Sequence, residues 1–270
     1  MSLLSKEKQI IKFIKNIPVE NTQNCFSCGK DSIVLWYFIK MANVNIPSIY
    51  GNTTIDPIGA KKLIKEHYSD VKILQPKTNF FKLVAETGLP TRVGRFCCQH
   101  LKEFHGIGKN NIEGIRREEG SKRAKYEPIQ CDTRKWMKGA QHYYPIIDLT
   151  TREIWKIIND NNLTTLPYYH APYNWKRHGC VGCPLASPKQ QVEEYKVFPK
   201  YAKSLIKAII KNMKLNNKIG QCFDDPYEVF WWWISRVSIP KWKSLKECEI
   251  WGGNYKSQFY KIILNEKLEL

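Results

Sequence analysis

The sequence lacks any apolar run long enough to cross a bilayer. Its longest uninterrupted apolar stretch covers residues 33–39, whereas a membrane-spanning helix needs about 20 residues. Within residues 1–10, charged side chains follow too early for the apolar core of a signal peptide to form. We therefore expect a soluble, cytoplasmic protein with no membrane partner.

Acidic residues are scarce. There are 25 Asp and Glu against 43 Lys and Arg, which gives a formal net charge of +18. Such an excess attracts polyanions, either nucleotides or nucleic acid. The alternative is that the lysines are spread over a solvated surface and have no partner. Charge alone leaves both interpretations open.

Internal repeats and low-complexity tracts are also missing, so a repeat array is excluded. The 270 residues, 43% of them hydrophobic, can bury one full core with or without a smaller appendage. Nine cysteines have to be explained in a reducing compartment. There, metal or cluster ligation is favoured over structural disulfides.

Hydrophobic periodicity predicts alternating strands and helices. Residues 5–17 have the pattern of an amphipathic helix, residues 23–26 that of a short strand, and an apolar helix follows Lys30. Further on, Thr150 and Glu153 have the spacing of a capping box. This alternation predicts an α/β, Rossmann-like parallel sheet with helices on both faces. We expect residues 1–188 to form the nucleotide-binding domain and residues 189–270 a helical, Lys- and Trp-rich C-terminal region.

The segment between the first predicted strand and helix has the parts of a phosphate-binding loop. It offers hydroxyls, a glycine and a lysine just before an apolar helix, where main-chain N–H groups and the helix dipole favour an anion. Cys25 and Cys28 also form a C-x-x-C, but no second nearby pair completes a four-ligand site. We predict that the loop binds phosphate through Ser27, Cys28, Gly29, Lys30, Asp31 and Ser32.

Four other cysteines come in two pairs. Cys97 and Cys98 are adjacent, and Cys180 and Cys183 form a C-x-x-C before a proline. Four thiolates can close a tetrahedral metal site or hold a cubane cluster. Spacing alone does not separate zinc from iron–sulfur.

The loop resembles the S-G-G-K-D-S PP-loop of the adenine-nucleotide α-hydrolase superfamily, with Cys28 where that motif has its first glycine. Cysteine adopts a positive φ only at a cost that glycine avoids. Three further stretches resemble the phosphoadenosine phosphosulfate (PAPS) reductase family, in its order along the chain. They are "GRFCCQHLK", "NIEGIRREEGSKRAKY" and the segment from "YYPIIDLTTREIW" to "HGCVGCP".

The resemblance implies several roles. A 4Fe–4S cluster would be held by Cys97, Cys98, Cys180 and Cys183, and the substrate would be an adenine nucleotide: adenylylsulfate (APS), PAPS or ATP. Asn52 and Thr53 match the family's D-T-x loop, which suggests an adenosine or ribose contact. Arg116 and Arg123 would bind the anionic end, since a guanidinium suits sulfate or phosphate oxygens. We interpret His100, His105 and His178 as groups around the cluster or on the surface.

A sulfonucleotide reductase also needs a nucleophilic thiolate. In the family this cysteine lies in K-E-C-G-(L/I)-H, and this chain has "LKECEIWGG". Cys248 is therefore the candidate nucleophile, although Glu249 and Trp251 depart from the pattern and a helix-packing cysteine is the alternative. We expect a sulfonucleotide reductase that releases sulfite with a thioredoxin- or glutaredoxin-type reductant.

The alternative function is an ATP pyrophosphatase-type enzyme that adenylates tRNA or DNA for sulfur insertion. A nucleotide-binding module without turnover is a third possibility. A row of lysines favours the nucleic-acid alternative, because their spacing of three or four residues puts them on one side of a helix. A solvated face is the ordinary meaning of such a row. The row consists of Lys200, Lys203, Lys207, Lys211, Lys214 and Lys218.

Overall fold

The computed structural model describes residues 2–216, 221–247 and 254–265. Contacts divide the chain into two compact units. The first contains residues 1–52, 58–76 and 102–179, and the second contains residues 53–57, 77–101 and 180–270. The boundary predicted after residue 188 stays a prediction, and the contacts place residues 77–101 with the C-terminal residues.

The first unit is built on a six-stranded sheet. Its strands are β1 (Thr22–Cys25), β2 (Ser48–Gly51), β3 (Lys72–Leu74), β4 (Asn110–Ile112), β5 (Ile129–Cys131) and β6 (Gln141–Tyr143). The strand order is β3-β2-β1-β4-β6-β5. All neighbours are parallel except β5, an antiparallel edge strand that the sequence pattern did not indicate.

This order places β1 at the switch point of the sheet. The chain leaves β1 toward β2 on one side, and β4 pairs with β1 on the other. In open α/β sheets, ligands bind outside the carboxyl ends of the strands at such a point. The predicted phosphate loop follows β1 and lies at this position.

Helices flank the sheet and form the C-terminal unit. In the described residues they are α1 (Leu3–Lys15), α2 (Lys30–Ala42), α3 (Ala60–His67), α4 (Phe80–Thr87), α5 (Thr151–Asp160), α6 (Pro188–Val197), α7 (Pro199–Asn216), α8 (Pro226–Ser235), α9 (Ile239–Glu247) and α10 (Tyr255–Gln258). The predicted α/β fold, a parallel sheet with flanking helices, is confirmed, and the antiparallel β5 is an addition to it.

One core of the first unit lies among α1, α2 and α5. Ile10 and Ile14 of α1 pack there with Phe38 of α2 and Ile154 of α5. These side chains recur at helical spacing, so each helix buries one stripe. The predicted capping box fixes the start of α5, since Thr150 accepts from the Glu153 main chain and Glu153 accepts from the Thr150 main chain.

The second unit joins α4 and the segment after it to the C-terminal helices. Asn212 of α7 donates to the Ala85 carbonyl at 3.1 Å, and the Trp233 indole donates to the Pro90 carbonyl at 2.7 Å. Both acceptors are buried, and such main-chain groups need a partner. Asn212 and Trp233 therefore tie Ala85 and Pro90 to the C-terminal helices.

Among the described helices, none combines the length and the apolarity that a membrane-spanning helix requires.

Candidate functional site

The loop after β1 takes a left-handed turn at Cys28. Its φ is +62°, and its side chain is fully buried with the thiol 3.8 Å from the Ala60 carbonyl oxygen. A left-handed non-glycine residue costs about 1–2 kcal/mol. The loop thus makes the turn that its glycine-containing counterpart would make, and burial of the thiol helps to hold it.

The loop opens directly into α2. Gly29 is the N-cap residue and makes no side-chain cap of its own. The Ser32 hydroxyl donates to the Gly29 carbonyl at 2.8 Å and accepts from the Ser27 main chain at 3.2 Å. The positive end of the helix dipole at such an N-terminus is suited to an anion.

Lys30 is buried at this helix end, with 4% of its surface exposed. Its ammonium lies 5.7 Å from the ring centroid of Tyr169, whose hydroxyl accepts from the Lys30 main chain at 3.0 Å. Burial raises the pKa of Tyr169, so the phenol stays protonated. A buried ammonium therefore lies at the first turn of α2, next to the loop.

Asp31 joins Lys30 to Arg116. Its Oδ2 lies 2.9 Å from the Lys30 ammonium and its Oδ1 lies 2.6 Å from Nε of Arg116. The remaining contacts of the guanidinium are to Glu118, the Leu149 carbonyl and Thr151. Burial alone would lower the pKa of Arg116, but Asp31 and Glu118 outweigh it and raise the pKa. Most N–H donors of the Arg116 guanidinium therefore bond to groups of the protein itself.

Gly114 allows the chain after β4 to approach this turn. A Cβ at Gly114 would lie 2.9 Å from the main-chain carbonyl of Asp31 and 3.0 Å from the Ser32 nitrogen. Any side chain there would push against the first turn of α2. The glycine thus fixes the distance between the phosphate loop and the strand end that carries Arg116.

Two further predicted site residues lie in the first unit. Asn52 is buried at the carboxyl end of β2, where its amide donates to Gln75 at 2.6 Å. Arg123 is partly exposed and pairs with Glu119 at 2.5 Å. Thr53 belongs to the second unit, where its hydroxyl and main chain both donate to Asp56. Their predicted contacts with a nucleotide stay predictions.

His178 lies next to Tyr169 and is 9% exposed, so of the two expected positions the surface is excluded, and a place beside the cluster stays a prediction. Its ring centroid is 4.7 Å from that of Tyr169. Burial and the charge of Lys30 lower the pKa of His178 to about 4, while a hydrogen bond to the Cys28 main chain favours the protonated ring. Its Nε2 is buried with no hydrogen-bond partner among the residues described.

The four predicted ligand cysteines all belong to the second unit. The hydrogen bond with Cys98, followed by burial, raises the pKa of the Cys97 thiol. The charges of Cys98, Cys180 and Cys183 raise it further, so the four sulfurs influence one another. Mutually repelling thiolates are stabilised by a bound cation, and four soft donors suit zinc or an iron–sulfur cluster.

The C-x-x-C turn is fixed by its surroundings. Gly182 has a φ of +68°, and a Cβ there would lie 2.0 Å from the Tyr195 hydroxyl oxygen. The Gly182 main chain donates to Glu194 at 2.7 Å and accepts from Gln191 at 2.9 Å. The turn between Cys180 and Cys183 is therefore held against α6.

Within the ranges that the structure describes, no group of three or more His, Cys, Asp or Glu side chains is arranged to hold a metal ion. The donor chemistry of the four cysteines fits a thiolate-bound group, and a cluster at this place stays a proposal.

Two other predictions fall partly or wholly outside the described residues. Cys248 lies outside them, as does Lys218 at the end of the lysine row. The other five lysines of the row are on α7, and all are exposed: Lys200, Lys203, Lys207, Lys211 and Lys214.

Sequence reasoning missed Gly114 and Tyr169 and did not show that His178 is buried. Both Gly114 and Tyr169 lie inside stretches that resemble the family. This position could have marked them as candidate site residues. Nothing local could show that His178 is buried, because this depends on the loop some 150 residues earlier.

The chain is similar to several known proteins. A curated, uncharacterized protein of Methanocaldococcus jannaschii is 27% identical over 217 residues, which is 72% of this chain and 43% of that protein. The chain thus spans less than half the length of this relative. A PAPS reductase from Candida auris, solved as a phosphate complex, has 13% identity and a TM-score of 0.48 over 65% of this chain and 87% of that one.

An FMN adenylyltransferase from Candida glabrata has 17% identity and a TM-score of 0.42 over 62% of this chain and 60% of that one.

The match that shows the family is to a family model. The model of the phosphoadenosine phosphosulfate reductase domain matches residues 22–186, which is more than half of the chain and includes the phosphate loop, Arg116 and all four paired cysteines. The chain belongs to the phosphoadenosine phosphosulfate reductase domain family.

Proposed function

We propose that this chain is a sulfonucleotide reductase-like enzyme that binds the phosphate or phosphosulfate of APS or PAPS at residues 27–32. The observation that carries the proposal is the start of α2, which follows the left-handed turn at Cys28, has glycine as its N-cap residue and carries the buried Lys30. Membership of the reductase-domain family supports the same ligand class. Asn52 and Thr53 would contact the adenosine or ribose, and Arg123 the anionic end.

The charges around the loop suggest how an anion would be accepted. The Lys30 ammonium is neutralised by Asp31, and Asp31 is held by Arg116. An incoming phosphate would share the Lys30 ammonium with Asp31, while the α2 main chain supplies further donors. Arg116 would act by keeping Asp31 in place and would contribute its charge to the pocket at longer range.

The chemical step would use the Cys248 thiolate. Its sulfur attacks the sulfate sulfur, the bond from sulfur to the phosphate oxygen breaks, and the nucleotide leaves with that oxygen. The resulting S-sulfocysteine is then reduced by a dithiol of the thioredoxin or glutaredoxin class. The dithiol becomes a disulfide, Cys248 regains its thiol, and sulfite departs.

A 4Fe–4S cluster would be held by Cys97, Cys98, Cys180 and Cys183, and its iron–thiolate bonds would supply structural order to the two segments that carry these cysteines. Arg236 lies in the same unit and donates to the Ala186 carbonyl and to Gln191. Its pKa is lowered by burial and by Arg92, and the charge of Cys183 acts in the opposite direction. This arginine thus provides a cation close to the C-x-x-C turn.

The exposed lysine face of α7 favours a second candidate function. In it the loop binds ATP, a nucleic-acid oxygen attacks the α-phosphorus, and pyrophosphate leaves. Sulfur then displaces AMP from the adenylated tRNA or DNA. Five exposed lysines on one helix suit a phosphate backbone.

One experiment separates the two candidates. Anaerobically purified protein, with its iron content and visible absorbance recorded, is given APS, PAPS or ATP with a dithiol. Sulfite release that is lost in Cys248→Ser would support the reductase. Pyrophosphate release from ATP that tRNA or DNA stimulates and Lys30→Ala abolishes would support sulfur insertion. Loaded protein that turns over none of the three nucleotides would overturn both.

A further inference from the structure

Tyr173 lies at the surface of the first unit, where 38% of it is exposed. Its ring centroid is 5.2 Å from that of Tyr168 and 5.9 Å from that of Trp175. Both pairs meet edge to face, at interplanar angles of 62° and 61°, a geometry in which aromatic rings attract one another. The exposed ring is therefore held in one position by two neighbouring rings.

A second exposed apolar residue belongs to the same surface. The Tyr168 hydroxyl donates to the Ile58 carbonyl at 2.8 Å, and Ile58 is 58% exposed. Tyr168 itself is buried, and its ring stacks on that of Trp175 with the centroids 5.2 Å apart. We call this contiguous group the aromatic patch: Ile58, Tyr168, Tyr173 and Trp175. Exposed apolar groups that lie together, with polar residues at their rim, are typical of interaction sites.

The segment that carries the aromatic patch is basic. Lys176 and Arg177 directly follow Trp175 in the chain, and both are exposed. Residues 161–192 contain no Asp or Glu, so no carboxylate of this segment neutralises the two cations. Two cations beside an exposed ring attract a ligand that has an anionic part and a flat apolar part.

Single-stranded nucleic acid has both of these parts. Its phosphates are anions, and each unpaired base offers a flat face on which an aromatic side chain stacks. In a duplex the neighbouring base pairs cover these faces, so a surface ring gains nothing from the bases there. An anionic lipid surface or an acidic peptide supplies the charge but no flat ring. The chemistry of the aromatic patch therefore favours an unpaired strand.

The aromatic patch lies close to the phosphate loop. Tyr169 follows Tyr168 in the chain, and its hydroxyl accepts from the Lys30 main chain at 3.0 Å. Lys30 is the first residue of α2. A strand seated on Tyr173 would thus pass near the start of this helix, where the nucleotide is proposed to bind.

We propose that the aromatic patch binds single-stranded nucleic acid, with an unpaired base stacked on the Tyr173 ring and the adjoining phosphates paired with Lys176 and Arg177. The inference deepens the second candidate function and rests on it for the role of the bound strand, which would be the substrate. The binding itself requires neither nucleotide turnover nor a bound cluster, so it can be measured alone.

The test measures binding of the full-length protein to two fluorescently labelled probes by anisotropy. One probe is an unstructured DNA strand of about 12 nucleotides, and the other is the same strand annealed to its complement. We expect wild-type protein to bind the single strand, with an affinity that depends on the Tyr173 ring. Wild-type protein that does not bind the single strand would overturn the inference.

Two substitutions of Tyr173 isolate the stacked base. Tyr173→Leu keeps an apolar side chain against Tyr168 but removes the ring, and we expect it to bind the single strand about 5- to 30-fold more weakly. Its affinity for the duplex should stay that of wild type, which also shows that the variant is folded. Tyr173→Phe keeps the ring and should bind both probes as wild type does. An equal loss for both probes in Tyr173→Leu, or a Tyr173→Phe variant as weak as Tyr173→Leu, would contradict a stacked base.

The two cations are tested through the salt dependence of binding. Each phosphate contact of a single strand contributes about 0.7 to the slope of log affinity against log salt. We expect Lys176→Gln combined with Arg177→Gln to lower this slope by about 1.4. Lys122→Gln combined with Lys125→Gln is the control, because it removes two exposed charges elsewhere in the same unit. Equal slopes in the two double variants would overturn the phosphate contacts.

Other ligands of the aromatic patch would give different results. Weaker AMP binding in Tyr173→Leu, by the same factor as for the single strand, would assign the ring to the base of the nucleotide at residues 27–32 and overturn the inference. Binding to phosphatidylserine vesicles that depends on Tyr173, with no effect on the strand, would assign the patch to an anionic membrane surface and overturn it too.

Pyrophosphate release from ATP, measured in parallel, separates this inference from the second candidate function. Strand binding that depends on Tyr173 without pyrophosphate release would support the binding site and overturn that candidate. Pyrophosphate release that nucleic acid stimulates equally in wild type and Tyr173→Leu would support the candidate and overturn the aromatic patch as its binding site.

Discussion

Nε of Arg116 lies 2.6 Å from Oδ1 of Asp31, and the arginine side chain is only 2% exposed. The other carboxylate oxygen faces the Lys30 ammonium. Removing one partner of a buried pair leaves an uncompensated charge, which costs about 3–5 kcal/mol. We expect Arg116→Ala to lower the free energy of unfolding by about that amount and to weaken nucleotide binding as a consequence. Urea denaturation measures the first effect and calorimetry the second.

Lys156→Ala is the matched control, since it removes the exposed pair with Asp160 on α5. Exposed pairs contribute about 0–1 kcal/mol, so this variant should stay close to wild type. If Arg116→Ala kept its stability but lost nucleotide binding, the arginine would be a direct ligand contact and not an anchor for Asp31.

The C-x-x-C turn should tolerate no side chain at Gly182. Its φ of +68° disfavours other residues, and a Cβ would overlap Tyr195, which is 2% exposed and has no space to move. Overpacking costs about 1–3 kcal/mol. We expect Gly182→Ala to lower the melting temperature and to reduce the iron or zinc content of purified protein.

Gly179→Ala is the control for this substitution, because a Cβ at Gly179 would meet no atom within 4 Å. It lies next to Cys180, so it tests whether any added methyl near the cysteines has the same effect. Equal metal content in both glycine variants and wild type would contradict the prediction.

His142 should make stability depend on pH. Its Nε2 lies 2.9 Å from Asp132 and its Nδ1 lies 3.4 Å from Glu113. Burial alone would lower the pKa of His142, but these two carboxylates outweigh it and raise the pKa above 6.5. Burial would raise the pKa of Asp132, but mainly the hydrogen bonds of Arg134 lower it to about 2, so the carboxylate stays charged throughout.

A raised folded-state pKa stabilises the protein fully below the unfolded value of 6.5, and this contribution is lost as the pH rises through the folded value. The unfolding free energy of wild type minus that of His142→Gln should therefore be largest below pH 6.5 and fall at higher pH. Denaturation from pH 5.5 to 9 measures it. A difference that does not change with pH would show that the ring stays neutral.

The exposed lysines of α7 should set the salt dependence of any nucleic-acid binding. Each phosphate contact contributes about 0.7–0.9 to the slope of log affinity against log salt. We expect the triple variant Lys207→Gln, Lys211→Gln, Lys214→Gln to bind tRNA more weakly and with a smaller slope. The control changes the same charge on α3, with Lys61→Gln, Lys62→Gln and Lys65→Gln. Equal slopes in the two triple variants would make the α7 lysines a solvated face.

Local patterns predicted most elements of the fold. The helix after Lys30, the strand before it and the capping box at Thr150 were all expected, because each depends on residues close together in sequence. The edge strand β5 was not expected. Its three residues have partners only in β6, which lies ten residues further on, and a strand that short carries no period of its own.

The site was only partly predictable for a related reason. The loop and the paired cysteines were recognised as motifs, since their chemistry is carried by neighbouring residues. The contact of Arg116 with the anionic end of a nucleotide stays a prediction, but the sequence did not show that most of its donors bond to the protein. Which way a long side chain turns depends on the groups packed around it, and no sequence spacing records them.

Most of the strands and helices, the loop motif after β1 and the resemblance to the family could be read from the sequence, because periodicity and motifs are properties of contiguous residues. The left-handed turn at Cys28, the place of Asp31 between Lys30 and Arg116, and the burial of His178 beside Tyr169 became visible only in the folded chain. Each of these depends on atoms from distant segments brought into contact, and hydrogen bonding and burial are fixed only once those contacts exist.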